Sequence, residues 1–462
     1  MHDLCIVGAG PAGMAAAGMA AGLGLSVALL DEQPGPGGQI YRSVTAGGPT
    51  REAILGRDYL RGRLLAHGLE RDGIDLFAGT TVWDIEGQGP FAVCHSRDGR
   101  AGVLSARCLI LATGALERPV PVPGWTLPGV MTAGAAQILL KSSGLVPDRA
   151  VLAGAGPLLY LLAVQMARAG APPLALVETC GRRDLIAALP RLPAALRGWR
   201  TLGKGMALLA ALRRHGIRRH RGARDLRIEG GDRAEALVFE AGGRQQRIDC
   251  GTVLLHQGLV ANTQITRALR LAHRWHEGQR DFVPETDAWG EASRPGIYVA
   301  GDGAGIDGAG AAEEAGRLAA LAAAHRLGRI GTAERDAAAR APRARLLAER
   351  AVRPFLDAAY PVPPAILRPA DATPVCRCEE VTAGQLRDWA RLGCQGPNQI
   401  KAYGRVGMGP CQGRYCGPTV TELLAEVRDR SPAEIGQFRT RPPFKPVTLG
   451  EIAALHGSGR FD

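Results

Sequence analysis

The chain has 462 residues, room for about three domains of ordinary size, and its 63 glycines and 5% aromatics suit an α/β nucleotide-binding protein. That composition excludes a collagen-like or disordered chain. The formal charge is +12, but only four of the 56 basic residues are Lys and the arginines form no long run, so nucleic acid is not an expected partner. Arg213, Arg214, Arg218, Arg219 and Arg221 read as a solvated surface, with a docking patch for an acidic partner as the alternative.

The first predicted element is a buried strand, Asp3 to Val7, with no basic segment before it. Gly8, Gly10, Gly13, Gly18, Gly22 and Gly24 interrupt the apolar stretch that follows. Neither a signal peptide nor a transmembrane span is expected, and the predicted location is cytoplasmic. Ile6 to Gly13 runs from strand into G-x-G-x-x-G and then an Ala-rich helix. Those glycines permit a tight turn and close backbone approach to a pyrophosphate at the helix N-terminus. A second strand, Ser26 to Leu30, ends in Asp31, placed 18 residues past Gly13 to hold a ribose diol.

Pro34 to Arg42 follows at once, and its pair Gly37-Gly38 lets backbone pass close to a large planar cofactor. Two later stretches complete the pattern, Leu109 to Ala115 with Ala112-Thr113-Gly114, and Gly296 to Asp302.

Together the four stretches resemble the flavoproteins with two dinucleotide-binding domains of the pyridine nucleotide–disulfide oxidoreductase superfamily, over about residues 1–330. The resemblance implies FAD, with Gly8, Gly10 and Gly13 at its pyrophosphate. It implies Asp31 at the adenosine ribose and Asp302 at the ribityl or phosphate end. Ala12, Glu32, Gly38, Gln39, Arg42, Val82, Ala112, Thr113, Gly114, Gly301 and Ala311 complete the implied contacts. Gly310-Ala311-Ala312 would open a helix whose N-terminal dipole favours a reduced, anionic flavin. No C-x2-C or C-x4-C pair precedes residue 376, which excludes disulfide-reductase chemistry.

Ala150 to Tyr160 is a second strand-to-helix turn, with Gly154 and Gly156, and the strand after it ends in Glu178. By position this is the second nucleotide site, where Glu178 would favour NAD over NADP. The third glycine position holds Leu159, beside Leu158 and Tyr160. Three readings stay open: NAD(H), another adenine nucleotide, or a vestigial site. Val253 to Asn262 reads as the strand returning to the flavin domain. His256 on it is either a cofactor contact or a satisfied structural histidine at the junction.

Pro354, Pro361, Pro363, Pro364, Pro369 and Pro374 predict an extended linker. Beyond it Cys376 and Cys378 stand as C-x-C and Cys411 and Cys416 as C-x4-C, with 32 residues between the pairs. Helices are predicted near 383–393 and 419–428. Such thiolates suit a 2Fe-2S cluster, whose sulfurs the surrounding glycines leave open to backbone N–H groups. Structural zinc is the competing reading, for which C-x-C is short. Cys5, Cys94, Cys108, Cys180, Cys250 and Cys394 read as buried small hydrophobes.

The cysteine spacing resembles bacterioferritin-associated ferredoxin-like domains. With Glu117-Arg118-Pro119, Gly124 to Val130 and the closing Arg439 to Val447, the whole chain resembles the A (alpha) subunits of opine oxidases, hydroxyproline or proline dehydrogenases and hydrogen cyanide synthase. The resemblance implies a D-amino-acid-oxidase-like flavoprotein beta subunit that oxidises the amine. Further implied partners are a small ferredoxin-like subunit, and a respiratory chain through a peripheral link.

The expected fold class is α/β, with two Rossmann-like dinucleotide-binding domains, the second inserted in the first, and a small mainly helical C-terminal iron–sulfur domain. The expected boundaries are 1–120 and 290–350 for the FAD domain and 121–289 for the insertion. A Pro-rich linker at 351–374, the cluster domain at 375–432 and an extended tail at 433–462 complete the chain. That tail is either a polyproline-type arm on a partner subunit or frayed.

Overall fold

The structure is a computed structural model that describes residues 1–46 and 48–455. Its first sheet has the parallel order 74–78, 27–31, 2–7, 100–111, with 297–299 also pairing parallel to 100–111. Strands 91–97 and 81–86 extend it antiparallel. The central strand Leu4 to Val7 is fully apolar and buried, as a parallel strand covered on both faces must be.

One face is covered by two Ala- and Gly-rich helices, Pro11–Gly22 and Ala309–Arg326. A Cβ at Gly316 would lie 2.1 Å from the carbonyl of Ala12, so the absent side chain lets the two helix backbones meet. A similar contact binds helix to sheet: a Cβ at Gly13 would sit 1.8 Å from the Gly8 carbonyl.

The second sheet has the parallel order 219–221, 175–178, 150–155, 252–257, 130–132, with an antiparallel meander 224–229, 236–241, 244–249 beside it. The chain leaves the first domain through Ala115–Glu117 and returns through Leu259–Ala261, and these two strands pair antiparallel. The return is earlier than the expected boundary at 289. Ile265, Leu269 and Leu271 bury in the core of the flavin domain with Ile297 and Val299, which draws the segment after residue 262 into that domain.

The predicted extended linker is instead folded. Prolines stand in the first turns of the helices Arg353–Ala359 and Pro364–Leu367, where their missing N–H costs nothing. Ile366 is buried in the core of the inserted domain. The cluster domain holds helices Ala383–Arg391, Pro397–Gly404 and Cys416–Arg428 and a short two-stranded ribbon.

The tail packs on its own chain rather than lying free. Phe438 joins the core of the cluster domain and Phe444 that of the flavin domain. The Phe444 N–H donates to the Trp83 carbonyl at 3.0 Å. Residues 456–462, the end of that predicted tail, lie outside the described residues. Among the described residues no helix is long and apolar enough to cross a membrane.

Candidate flavin and iron–sulfur sites

The parallel register sets Val7 opposite Leu30, so the glycine turn and Asp31 emerge side by side. Asp31 Oδ2 accepts the Ala9 N–H at 2.5 Å and Oδ1 the Gln33 N–H at 2.8 Å. Burial lifts this carboxyl above its ordinary range, against the pull of those two N–H donors. Each oxygen keeps a lone pair for a ribose hydroxyl.

Gly38 lies over the turn in a left-handed conformation (φ 58°), and a Cβ there would meet Gly10 Cα at 2.8 Å. Gln39 and Arg42 follow: Arg42 Nη2 donates to Gln39 Oε1 at 2.8 Å and its Nη1 to Gln33. Arg42 Nε is buried without a partner. An unmet cationic donor beside a glycine turn at a helix N-terminus suits a phosphate, so these residues fit a dinucleotide.

On the far side of the turn, a Cβ at Gly8 would lie 2.4 Å from the Ala112 carbonyl, which sets the Ala112-Thr113-Gly114 segment against it. Gly303 approaches Thr113 Oγ1 in the same way, at 3.2 Å. Asp302 Oδ1 accepts the Asp307 and Gly308 N–H groups at 3.0 and 2.9 Å, and burial raises its pKa. Ala311 stands in the first turn of the helix Ala309–Arg326. A cavity of about 330 Å3 opens beside it, lined by Gly301, Asp307, Ala311, Ala312, Trp289 and Arg350.

Two of the expected contacts sit differently. The Val82 side chain is buried in the core, which leaves only its main chain for a cofactor. Glu32 pairs with Lys445 of the tail at 2.5 Å.

Sequence reading missed Lys141. Its ammonium is buried, donates to the Gln39 carbonyl at 3.0 Å and to Gln137 Oε1 at 2.9 Å, and so ties the inserted domain to the flavin loop. A lone Lys in an apolar helix carries no local signal of such a role.

At the second site the structure does not leave Glu178 to a ribose. Its carboxylate is 1% exposed. It takes the Tyr160 hydroxyl at 2.5 Å and both Arg219 donors at 2.8 and 2.7 Å. Arg219 also stacks over the Tyr160 ring at 5.2 Å, so it is no free surface arginine. Leu159, at the third glycine position, is fully buried. Gly154 and Gly156 still form the turn, but a Cβ at Gly156 would meet His256 Nε2 at 3.4 Å. His256 Nδ1 in turn holds Glu117 Oε1 at 2.5 Å, and Glu117 Oε2 caps Gly134 N–H at 2.7 Å. His256 is the satisfied junction histidine.

In the cluster domain the four thiols meet as two pairs. The Cys416 thiol donates a hydrogen bond to Cys376, and that contact with the N–H groups of Gly407, Glu379 and Cys378 pulls the Cys376 thiol down to about 6. Its partner Cys416 is raised, first by the same bond and then by burial. Cys378 is raised by burial, and its thiol donates a hydrogen bond to Cys411. Among the described residues no three His, Cys, Asp or Glu side chains converge as one metal ion requires. Four thiols with backbone N–H groups at sulfur are a donor set that would suit a 2Fe-2S cluster.

Gly409 is required there, because a Cβ would lie 2.3 Å from Cys378 Cβ. Phe438 from the tail floors the loop, 2.8 and 2.7 Å from the Cβ positions of Gly407 and Gly413. Cys394 is buried in the domain core, and the Tyr403 side chain is its hydrogen-bond partner.

Comparison with known proteins agrees with this geometry. Residues 2–328 match the pyridine nucleotide-disulphide oxidoreductase family, and residues 374–426 the BFD-like 2Fe-2S binding domain. The chain is 46% identical to the A subunit of opine oxidase from Agrobacterium tumefaciens (strain Ach5), over 99% of this chain and 93% of that one. It is 33% identical to the HcnB subunit of hydrogen cyanide synthase from Pseudomonas aeruginosa, over 97% and 98%. The solved L-proline dehydrogenase from P. horikoshii shares the fold at TM-score 0.71 and 20% identity, covering 98% of this chain and 79% of that one. The chain therefore belongs to the pyridine nucleotide-disulphide oxidoreductase family, in the group of opine oxidase A subunits, as a flavin- and 2Fe-2S-containing oxidoreductase subunit.

Proposed function

We propose that this subunit relays electrons within a heteromeric amino-acid or opine dehydrogenase. In this reading a D-amino-acid-oxidase-like beta subunit oxidises the amine, and this chain carries the electrons to an acceptor. FAD exchanges two electrons and a 2Fe-2S centre one, so the pair links hydride chemistry to single-electron transfer. The observation that carries the reading is the docking of the cluster domain on the two nucleotide-binding domains. Arg280 holds the buried Glu422 through two bonds at 2.8 and 2.7 Å, and Trp125 Nε1 donates to the Pro374 carbonyl at 2.7 Å. The complex is cytoplasmic in this reading, with a peripheral contact to a respiratory chain.

A self-contained NAD(P)H dehydrogenase is the rival, and the closed Glu178–Arg219–Tyr160 group argues against it. Anaerobic mixing separates them. NADH should leave the flavin of the purified chain yellow, whereas an opine or amino acid should bleach it once the amino-acid-oxidase-like partner is co-expressed. Bleaching of the isolated chain by NADH within seconds would overturn the relay.

A further inference from the structure

The loop that carries Cys411 touches the flavin domain at a buried side chain that neither cofactor site contains. Gln264, at the start of the helix Gln264–Ala268, is 3% exposed. Its Nε2 donates to the carbonyl of Gln412 at 3.2 Å, one residue past Cys411. Its Oε1 accepts the Thr440 hydroxyl at 3.0 Å, which fixes the orientation of the amide. Two residues before Gln264 stands Asn262. Its N–H donates to the Gly114 carbonyl at 3.0 Å, its carbonyl accepts the Thr113 hydroxyl at 2.9 Å, and its Nδ2 donates to the Thr113 carbonyl at 3.3 Å. Thr113 and Gly114 belong to the flavin cradle.

A continuous path follows from these contacts. It runs from Cys411 through one peptide to Gln412, across one hydrogen bond to Gln264, and along the main chain to Asn262. A second hydrogen bond closes it at Thr113-Gly114. No step crosses an unbonded gap. Covalent and hydrogen-bonded links carry electronic coupling better than van der Waals contact does, and a fully satisfied buried network also holds its ends rigidly.

We propose that Gln264 is a positioning residue for electron transfer, joining the cluster loop to the flavin cradle and setting the rate at which one electron passes between them. The inference rests on the relay reading. Each transfer takes one electron from reduced flavin and adds one to the oxidised cluster. The second electron follows once the cluster has passed the first to a one-electron acceptor. Thr440 has a part in this scheme: the tail that carries it keeps the Gln264 amide turned toward Gln412.

The test uses the full chain with both centres, reducing the flavin by a laser flash in the presence of a deazaflavin sensitiser and an amine electron donor, and following cluster reduction optically. In the natural protein the cluster should be reduced at the expense of the flavin. In Gln264→Met the transfer rate should fall several-fold while flavin content, cluster EPR signal and both midpoint potentials stay as they were. Thr440→Val, which frees the Gln264 amide without touching Gln412, should slow transfer less. An unchanged rate in Gln264→Met overturns the inference and leaves the relay standing. If Gln264→Met loses its cluster, Thr440→Val decides, and an unchanged rate there overturns the inference. No flavin-to-cluster transfer in the natural protein would instead overturn the relay itself.

Discussion

Arg280 and Glu422 meet face to face across the boundary between the flavin and cluster domains, with Nε and Nη2 of one on the two carboxylate oxygens of the other. Glu422 is 1% exposed while the Arg280 side chain keeps 24%, so the arginine closes a buried carboxylate from the solvent side. Removing one partner of such a pair leaves the other charge uncompensated, which costs about 3–5 kcal/mol. Arg280→Met should therefore release the cluster domain at lower urea than flavin is lost, read from cluster absorbance and flavin fluorescence in one titration. The double change Arg280→Met with Glu422→Leu should cost less than Arg280→Met alone. Coincident transitions in the single variant would mean that the pair does not hold the two domains together.

Cys376→Ser removes the sulfur on which the N–H groups of Gly407, Glu379 and Cys378 converge. The purified variant should lack the EPR signal of a reduced 2Fe-2S centre and keep its flavin, because none of the four cysteines belongs to the flavin-domain cores. Cys394→Ser should keep both centres. A cluster signal that survives Cys376→Ser would remove this residue from the ligand set.

Much of the cofactor chemistry was legible in the sequence because backbone geometry demands it locally. A glycine turn between a buried strand and a helix, an acid at the end of the next strand, and paired cysteines among glycines each declare themselves within a few residues. What stayed hidden depends on contacts between distant residues. Phe438 and Phe444 stand among prolines and arginines with no periodicity, yet they anchor the tail to two different cores. The fate of Glu178 depends on Arg219, a residue 41 positions away. The linker prolines read as extended backbone although Pro at a helix start is equally at ease.

Arg219→Leu tests the closure of the second nucleotide turn. Glu178 would keep the Tyr160 hydroxyl and the more distant guanidinium of Arg221 at 3.8 Å, and a buried carboxylate stripped of its main cation costs up to about 3–5 kcal/mol. Thermal unfolding should move down accordingly, and Arg219→Lys should recover only part of the loss, because an ammonium lacks the fork that engages both oxygens. Full stability in Arg219→Leu would show that Arg219 does not hold the Glu178 carboxylate closed. In that case the site is open to a ribose after all.

Lys141 makes stability depend on pH in a direction opposite to that of a paired lysine. Burial, with repulsion from Arg42 added, pushes its ammonium down to about 7. In the unfolded chain a lysine titrates near about 10.4. Between those values the unfolded chain binds more protons at this position than the folded one, so the contribution of Lys141 to stability rises with pH. Below about 7 both states are protonated, and the cost of burying the charge is fully present and constant. The slope is at most about 1.4 kcal/mol per pH unit. Lys141→Met removes this dependence, and losing the bonds to Gln39 and Gln137 shifts the variant by a constant amount. The stability of the natural protein minus that of the variant should therefore increase steadily from neutral to alkaline pH in urea unfolding. A difference that stays flat across that range would mean that Lys141 remains charged when folded, with its ammonium held at the Gln39 carbonyl throughout.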